Sequence, residues 1–150
     1  MTNWISKKFS DLTPEELYAI LRLRSEVFVV EQNCVFLDMD NKDHSSHHLM
    51  GWQGADLVAY TRIVPPGISY VEFSIGRIVT SPTVRKQGIG RVLVSKSIDL
   101  AYTLHGEGVI RIGAQYYLRG FYESFGFRKA GEIYLEDGIQ HIEMLLLTKD

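Results

Sequence analysis

The sequence predicts an α+β domain, a mixed central sheet of about six or seven strands flanked by about four helices. Three observations predict it. Apolar residues alternate in some stretches and recur at helical spacing in others, in the order strand, helix, three or more strands, helix, strand, helix, strand. The 150 residues suffice for one buried core, and no repeat, low-complexity tract or Pro/Gly/Ser linker divides them. The 45% hydrophobic and 23% charged content is that of an ordinary globular domain.

"NWISKKF" (3–9) reads as a first strand. "TPEELYAILRLRSEVFVVEQ" opens with a helix start: Thr13 can cap, Pro14 suits the first helical position, and Glu16 closes a capping box. Leu17, Ile20, Leu21 and Phe28 then supply an apolar face. "NCVFLDMDNKDHSS" is polar and turn-rich, a loop with room for a short helix. "HHLMGWQ" and "LVAYTRIV" are two strands joined by Gly54, Ala55 and Asp56, and "ISYVEFSIGRIVT" (68–80) is a longer β-branched and aromatic strand. "GIGRVLVSKSIDLAYTLHG" is a helix with Ile89, Leu93, Leu100, Ala101 and Leu104 on one broad face, ended by Gly106 or Gly108. "VIRIGAQ" is a short strand, "AQYYLRGFYESFG" a helix closed by Gly126, and "IEMLLLT" (142–148) a final strand.

Composition narrows the function classes. A formal charge of −2 gives no broad basic field, so nucleic acid is not expected as a partner. No apolar stretch approaches the ~20 residues that span a bilayer, and "MTNWISKKFSDL" lacks the apolar core of a signal peptide. The one cysteine, Cys34, cannot form an internal disulfide. The expectation is a cytoplasmic domain that engages neither membrane nor nucleic acid.

The segment "VRKQGIG" (84–90) carries the first chemical signal. It fits neither a Walker A loop nor the G-x-G-x-x-G dinucleotide fingerprint, whose third glycine position is Leu93 here. What remains is strand, short turn, R-x-x-G-x-G, helix. Glycines let backbone approach a ligand, and the first turn of a helix offers unpaired N–H groups and a positive dipole end to an anion. On the turn alone, phosphate binding and plain strain relief are both open.

"IGRIVTSPTVRKQGIGRVLVSKSIDLA" resembles motif A of the GNAT N-acetyltransferase superfamily, [QR]-x-x-G-x-[GA] after a long strand. "AQYYLRGFYESFGF" resembles that family's motif B. "RSEVFVVEQNC" with Asp40, Asp43 and "HHL" is similar to its ElaA-like branch. The resemblance covers most of the chain and implies one GNAT domain over residues 1–150. It implies that Arg85, Lys86, Gln87, Gly88, Ile89, Gly90 and Arg91 hold the pyrophosphate of acetyl-CoA. It implies also that the strand edge at Ile78, Val79 and Thr80 and the Gln115 side chain hold the pantetheine arm, with Tyr122 at the reacting sulfur. A homodimer is expected only at the level of the family.

Acetyl transfer to an amine needs an unprotonated amine, a stabilised thioester oxygen and a leaving thiolate. Because a thiol has a pKa of about 8.5, an acid assists its departure without being indispensable. Tyr122 is the resemblance's acid; the competing reading is an aromatic core cluster with Phe121, Phe125 and Phe127. Gln115 competes with a plain helix-start residue. The strand position where several family members carry a Glu base is Ser74 here. Glu72, two residues earlier on the same predicted strand face, is the candidate base, against a plain solvent-facing Glu.

"DMDNKDHSSHH" (38–48) gathers three Asp and three His. An EF-hand fails, because Lys42 and Asp43 stand where a ligand and glycine are needed. No spacing selects a zinc geometry, so no metal site is assigned. A solvated loop competes with an acceptor site in which Asp40, Asp43 and His48 attract a cationic amine; His141 is a further possible member or a structural strand histidine. Cys34 reads as a buried thiol rather than a nucleophile. The leading reading is an acetyl-CoA-dependent N-acetyltransferase acting by direct attack on a small-molecule or peptide amine. A non-catalytic acyl-CoA-binding module is the alternative, and an acyl-homoserine-lactone synthase ranks below both.

Overall fold

In the computed structural model, which describes residues 1–147, the capping box forms as its residues predict. Thr13 Oγ1 accepts the Glu16 N–H at 3.1 Å, and Glu16 Oε1 accepts the Thr13 N–H at 2.8 Å. The helix it starts, α1 (Pro14–Arg24), runs on into a π-helical turn over Ser25–Glu31. Its fully buried stripe is Ile20, Leu23, Arg24 and Val27, while Leu17, Leu21 and Phe28 are half-buried. A charged residue thus lies on the buried face, for a reason given below.

The α+β class holds, with the strands arranged in two antiparallel sheets. The first joins β1 (Asn3–Lys8), β2 (His47–Gln53), β3 (Asp56–Val64) and β4 (Ser74–Thr80) in that order. In the second, β5 (Ile110–Gln115), β6 (Arg128–Lys129) and β7 (Tyr134–Glu136) all pair with β8 (Ile139–Leu146). The sheets meet at one parallel bridge, Phe73 to Ile110, where the Arg111 N–H donates to the Phe73 carbonyl at 3.1 Å. Beyond that bridge β4 and β5 share no pairing, and β4 leaves one edge of its main chain free. Along β4 the register with β3 slips between Tyr60 and Arg62, one extra residue falls on β4, and Arg77 takes φ +51°. Such a bulge re-aims side chains beside a site.

Three α-helices stand among the described residues: α1, α2 (Ile89–His105) and the short α3 (Arg119–Glu123), which follows a 3-10 turn. Two sequence expectations need correction. The strand expected over 68–80 begins only at Ser74, because the prolines before Gly67 bring no N–H donors and Gly67, at φ +84°, closes a turn onto Tyr70. The hairpin of β7 and β8 was not anticipated; its Asp137 and Gly138 both take positive φ, as a two-residue turn of this kind requires. The final strand ends at Leu146, and Thr148 of the expected strand lies outside the described residues.

Two cores clamp β4 from its two faces. Ile75 packs with Val94, Ile110, Ile112 and Met144, and Val79 packs with Ile20, Leu23, Met50 and Tyr60. Each buried aliphatic side chain stabilises by about 1.5–3 kcal/mol, so the free edge of β4 belongs to a rigid element. Among the described residues no helix is long and apolar enough to cross a membrane.

Candidate active site

Where β4 and β5 part, a cleft of about 870 Å³ opens, within the range of small-ligand sites. Ile78, Val79, Thr80, Arg85, Gln115 and Tyr122 all line it, so the structure brings together residues that the sequence spreads over three segments.

Of the expected phosphate-binding segment only Arg85 lines the cleft; residues 86–91 do not, and the N-terminus of α2 follows in sequence just beyond Arg85. Gly88 is its N-cap at φ +77°, and a Cβ built there meets nothing within 4 Å. Glycine is thus required for its backbone angle, and the space above it is open. No side chain caps this 17-residue helix. The N–H groups of Ile89, Gly90 and Arg91 belong to its first turn and have no intrahelical acceptor. Lys86, at φ +70°, and Gln87 are exposed beside them. Two of the expected cationic groups are occupied within the chain. The Arg85 guanidinium grips both carboxylate oxygens of Glu31 at 2.6 Å, and this holds the Glu31 carboxyl below its ordinary range. Arg91 donates to Ser124 Oγ at 3.0 Å and lies over the Phe125 ring.

Tyr122 belongs to the aromatic cluster and also lines the cleft. Its ring packs edge-on against Phe121 and Phe127, and the residue is 6% exposed. Its hydroxyl makes no hydrogen bond among the described residues and burial pushes the phenol well above its ordinary range. Gln115 sits at the end of β5, where its Nε2 donates to Gln32 Oε1 at 3.3 Å across the cleft mouth.

The structure moves Glu72 away from this site. With the strand starting at Ser74, the alternation that placed both residues on one face does not apply, and the Glu72 carboxylate is held by Arg111 Nε at 2.9 Å and Nη2 at 3.1 Å. Arg111 keeps its carboxyl below the usual range. Ser74, 4% exposed, lines the cleft instead.

The acidic loop is neither a solvated face nor an open acceptor site. Its three aspartates alternate with three arginines in a closed ring: Arg24 to Asp38 (2.7 Å), Asp38 to Arg77 (2.9 Å), Arg77 to Asp40 (3.3 Å), Asp40 to Arg62 (2.7 Å), Arg62 to Asp43 (3.0 Å) and Asp43 to Arg24 (2.7 Å). Burial alone would raise the Asp43 carboxyl, but Arg24 and Arg62 override it and hold it low. Arg62, then Arg77, do the same to Asp40, which is pushed far below the carboxylate range. Asp43 and His48 therefore correct the sequence expectation: both are buried and neither lines the cleft. His48 Nε2 donates to the Asp43 carbonyl at 2.9 Å, so Nδ1 is the acceptor for the Tyr60 hydroxyl at 2.6 Å. Burial holds this imidazole neutral, below its ordinary pKa. Of the three proposed acceptor contacts only Asp40 reaches the cleft. Among the described residues no group of three His, Cys, Asp or Glu could hold a metal ion.

Of the far wall, sequence reasoning named only His141 and missed the rest. Gly113 of β5 carries no side chain, and a Cβ there would lie 2.7 Å from Tyr134 Oη and 3.0 Å from Tyr70 Oη. His141, 7% exposed, stacks on Tyr134 and lines the cleft with Glu136. Cys34 is half-buried rather than buried, and its thiol donates to the Asp137 carbonyl at 3.0 Å. Aspartate followed by glycine at 137 and 138 was the available signal for this hairpin.

A family model described as an acetyltransferase (GNAT) domain matches residues 9–148. Protein ElaA of Escherichia coli is 40% identical over 146 residues, covering 96% of this chain and 95% of that protein. A UPF0039 protein of Synechocystis is 42% identical over 144 residues, covering 95% and 94%. The crystal structure of an acyl-CoA N-acyltransferase from Pseudomonas aeruginosa superimposes with a TM-score of 0.93 at 40% identity, covering 97% of this chain and 99% of that one.

Proposed function

The chain belongs to the GNAT acetyltransferase family, and from that premise we propose that it transfers the acetyl group of acetyl-CoA to a primary amine by direct attack in a ternary complex. One observation carries this reading: the free edge of β4 and Tyr122 line one cleft where β4 and β5 part, and the uncapped, glycine-headed start of α2 follows in sequence directly after Arg85 on its wall. Acetyl-CoA supplies an activated thioester, and the chain's own residues do the rest.

The N–H groups of residues 88–91 face a pyrophosphate, aided by the helix dipole and by the exposed Lys86 and Gln87. Arg85 contributes its main chain there, its side chain being paired with Glu31. The main chain of Ile78, Val79 and Thr80 pairs with the pantetheine arm as an added strand would, and Gln115 exchanges its bond to Gln32 for one to that arm. Backbone N–H groups on the bulged edge of β4 stabilise the thioester oxygen as it gains charge. Tyr122 gives its proton to the departing sulfur. Its high pKa keeps the proton in place until charge develops. Asp40 borders the acceptor side with its charge shared between Arg62 and Arg77. The acceptor is a small-molecule or peptide amine. The one cysteine suits a reducing compartment, and we place the reaction in the cytoplasm.

A second reading, an acyl-CoA-binding module without turnover, is favoured by Ser74 at the position where several family members carry a Glu base and by the capture of Glu72 by Arg111. Release of the CoA thiol from acetyl-CoA over a panel of amines and peptide N-termini separates the two: amine-dependent release supports the enzyme, and binding without release supports the module. Tyr122→Phe is expected to lower kcat by about 10²-fold and leave the affinity for acetyl-CoA unchanged. Wild-type kcat in that variant would remove the acid role.

A further inference from the structure

An amine at neutral pH arrives as an ammonium ion, so the site needs a base, and the cleft narrows the choice. Glu31 is paired with Arg85, and Asp40 with Arg62 and Arg77; each is held as a weak base by these arginines. Glu72 lies outside the cleft on Arg111. The phenols of Tyr70, Tyr122 and Tyr134 are pushed up by burial and hold their protons.

His141 differs from all of these. Its Nδ1 stands 2.8 Å from the Ile139 carbonyl oxygen, which can only accept, so Nδ1 carries the hydrogen. In the neutral ring the lone pair therefore lies on Nε2. That nitrogen makes no hydrogen bond among the described residues. The nearest anion, Glu136 Oε2, is 3.6 Å away, too far for a hydrogen bond. The ring is fixed by stacking on Tyr134, with centroids 5.7 Å apart. Its register partner across β5 is Gln115, and beside it Gly113 leaves a floor of bare backbone under the hydroxyls of Tyr70 and Tyr134. Tyr134 and Glu136 of β7, Asp137 of the turn and Tyr70 of the loop before β4 are the titratable groups on this wall, with the Glu143–Arg111 pair further along the same face.

We propose that His141 is the general base of the transfer, taking a proton from the acceptor's ammonium at Nε2, with Glu136 as the counter-charge of the imidazolium. The inference rests on the acyl-transfer reading above. One ammonium proton goes to Nε2 and from there to solvent. The freed lone pair forms the N–C bond to the thioester carbon, and the C–S bond breaks with its electron pair on sulfur. Sulfur takes the Tyr122 proton, and the second proton shed by the new amide nitrogen restores that phenol through water. The products are amide, CoA thiol and one proton released.

The test uses phenethylamine and an alanyl tripeptide amide as probe acceptors at saturating acetyl-CoA, reading thiol release from pH 5 to 9. His141→Gln is expected to lower kcat/KM for the amine by about 10²-fold and to abolish the acid limb of the wild-type profile, with acetyl-CoA affinity by calorimetry unchanged. In His141→Ala, added imidazole is expected to restore part of the rate. Wild-type kcat/KM and an unchanged profile in His141→Gln would overturn the assignment. A wild type that binds acetyl-CoA and acetylates neither amine would instead overturn the acyl-transfer reading beneath it.

Discussion

Arg24→Met is expected to destabilise the fold by about 3–5 kcal/mol, the range for removing one member of a buried ion network. The substitution keeps most of the side-chain length and the packing of the stripe formed by Ile20, Leu23 and Val27. It removes the cation that bridges Asp38 and Asp43 and opens the six-membered ring into a chain with one excess buried negative charge. For a domain of this size the loss is a drop in Tm of roughly 10 °C. Adding Asp38→Leu removes the excess charge and is expected to recover about 1 kcal/mol or more, a coupling that a double-mutant cycle reads directly. Additive losses from the two substitutions would mean that the ring is not a unit.

The same ring sets the response to acid. Asp40 and Asp43 have folded pKa values below their unfolded value of about 3.9, so their contribution is complete above that pH and is lost as pH falls through the folded values. His48 is buried neutral with its folded pKa below the unfolded value of about 6.5, so its contribution is present above that pH and declines below it. Urea midpoints measured from pH 3 to 8 are expected to fall in two stages, first below about 6.5 and then below about 4. A flat midpoint across this range would contradict the ring and the neutral imidazole together.

Gly88→Glu is expected to abolish binding of acetyl-CoA, by about 10²-fold or more, while leaving the chain folded. The space around a Cβ at this position is empty of protein, so the new side chain stands where the ligand belongs. Holding a non-glycine residue at φ +77° costs roughly 1–2 kcal/mol. A carboxylate at a helix N-terminus recovers part of that through the dipole, so the fold survives and the anion site fills itself. The stabilisation of Tm by acetyl-CoA should vanish in this variant. Gly88→Ala separates strain from charge: it carries the same backbone penalty and should retain measurable binding.

Much of this arrangement could be read from residues. The capping box at Thr13 and Glu16 is local chemistry, and R-x-x-G-x-G before an amphipathic run marks a helix start with open amides. The acidic loop was misread because its partners are distant in sequence: Asp43 lies 19 residues from both Arg24 and Arg62. Charge counts along the chain cannot reveal that each carboxylate faces a guanidinium. The one local hint was Arg24 in phase with Leu23 and Val27 on an otherwise apolar helix face. Glu72 failed for a different reason: β-branched and aromatic residues over 68–72 resemble a strand, but the turn at Gly67 sets where pairing can begin. His141 stood open between a site member and a structural strand histidine because the choice turns on which ring nitrogen faces the Ile139 carbonyl, a matter of geometry alone.

The central claim is that the gap between β4 and β5 holds an acyl-CoA with its pyrophosphate at the start of α2. Calorimetric titration of the purified wild-type chain with acetyl-CoA tests it most directly. The account predicts one site with a Kd of roughly micromolar order, the scale of ordinary substrate affinities. No heat from a folded chain free of copurified cofactor would contradict it, and would leave the glycine turn as an ordinary strand-to-helix connection.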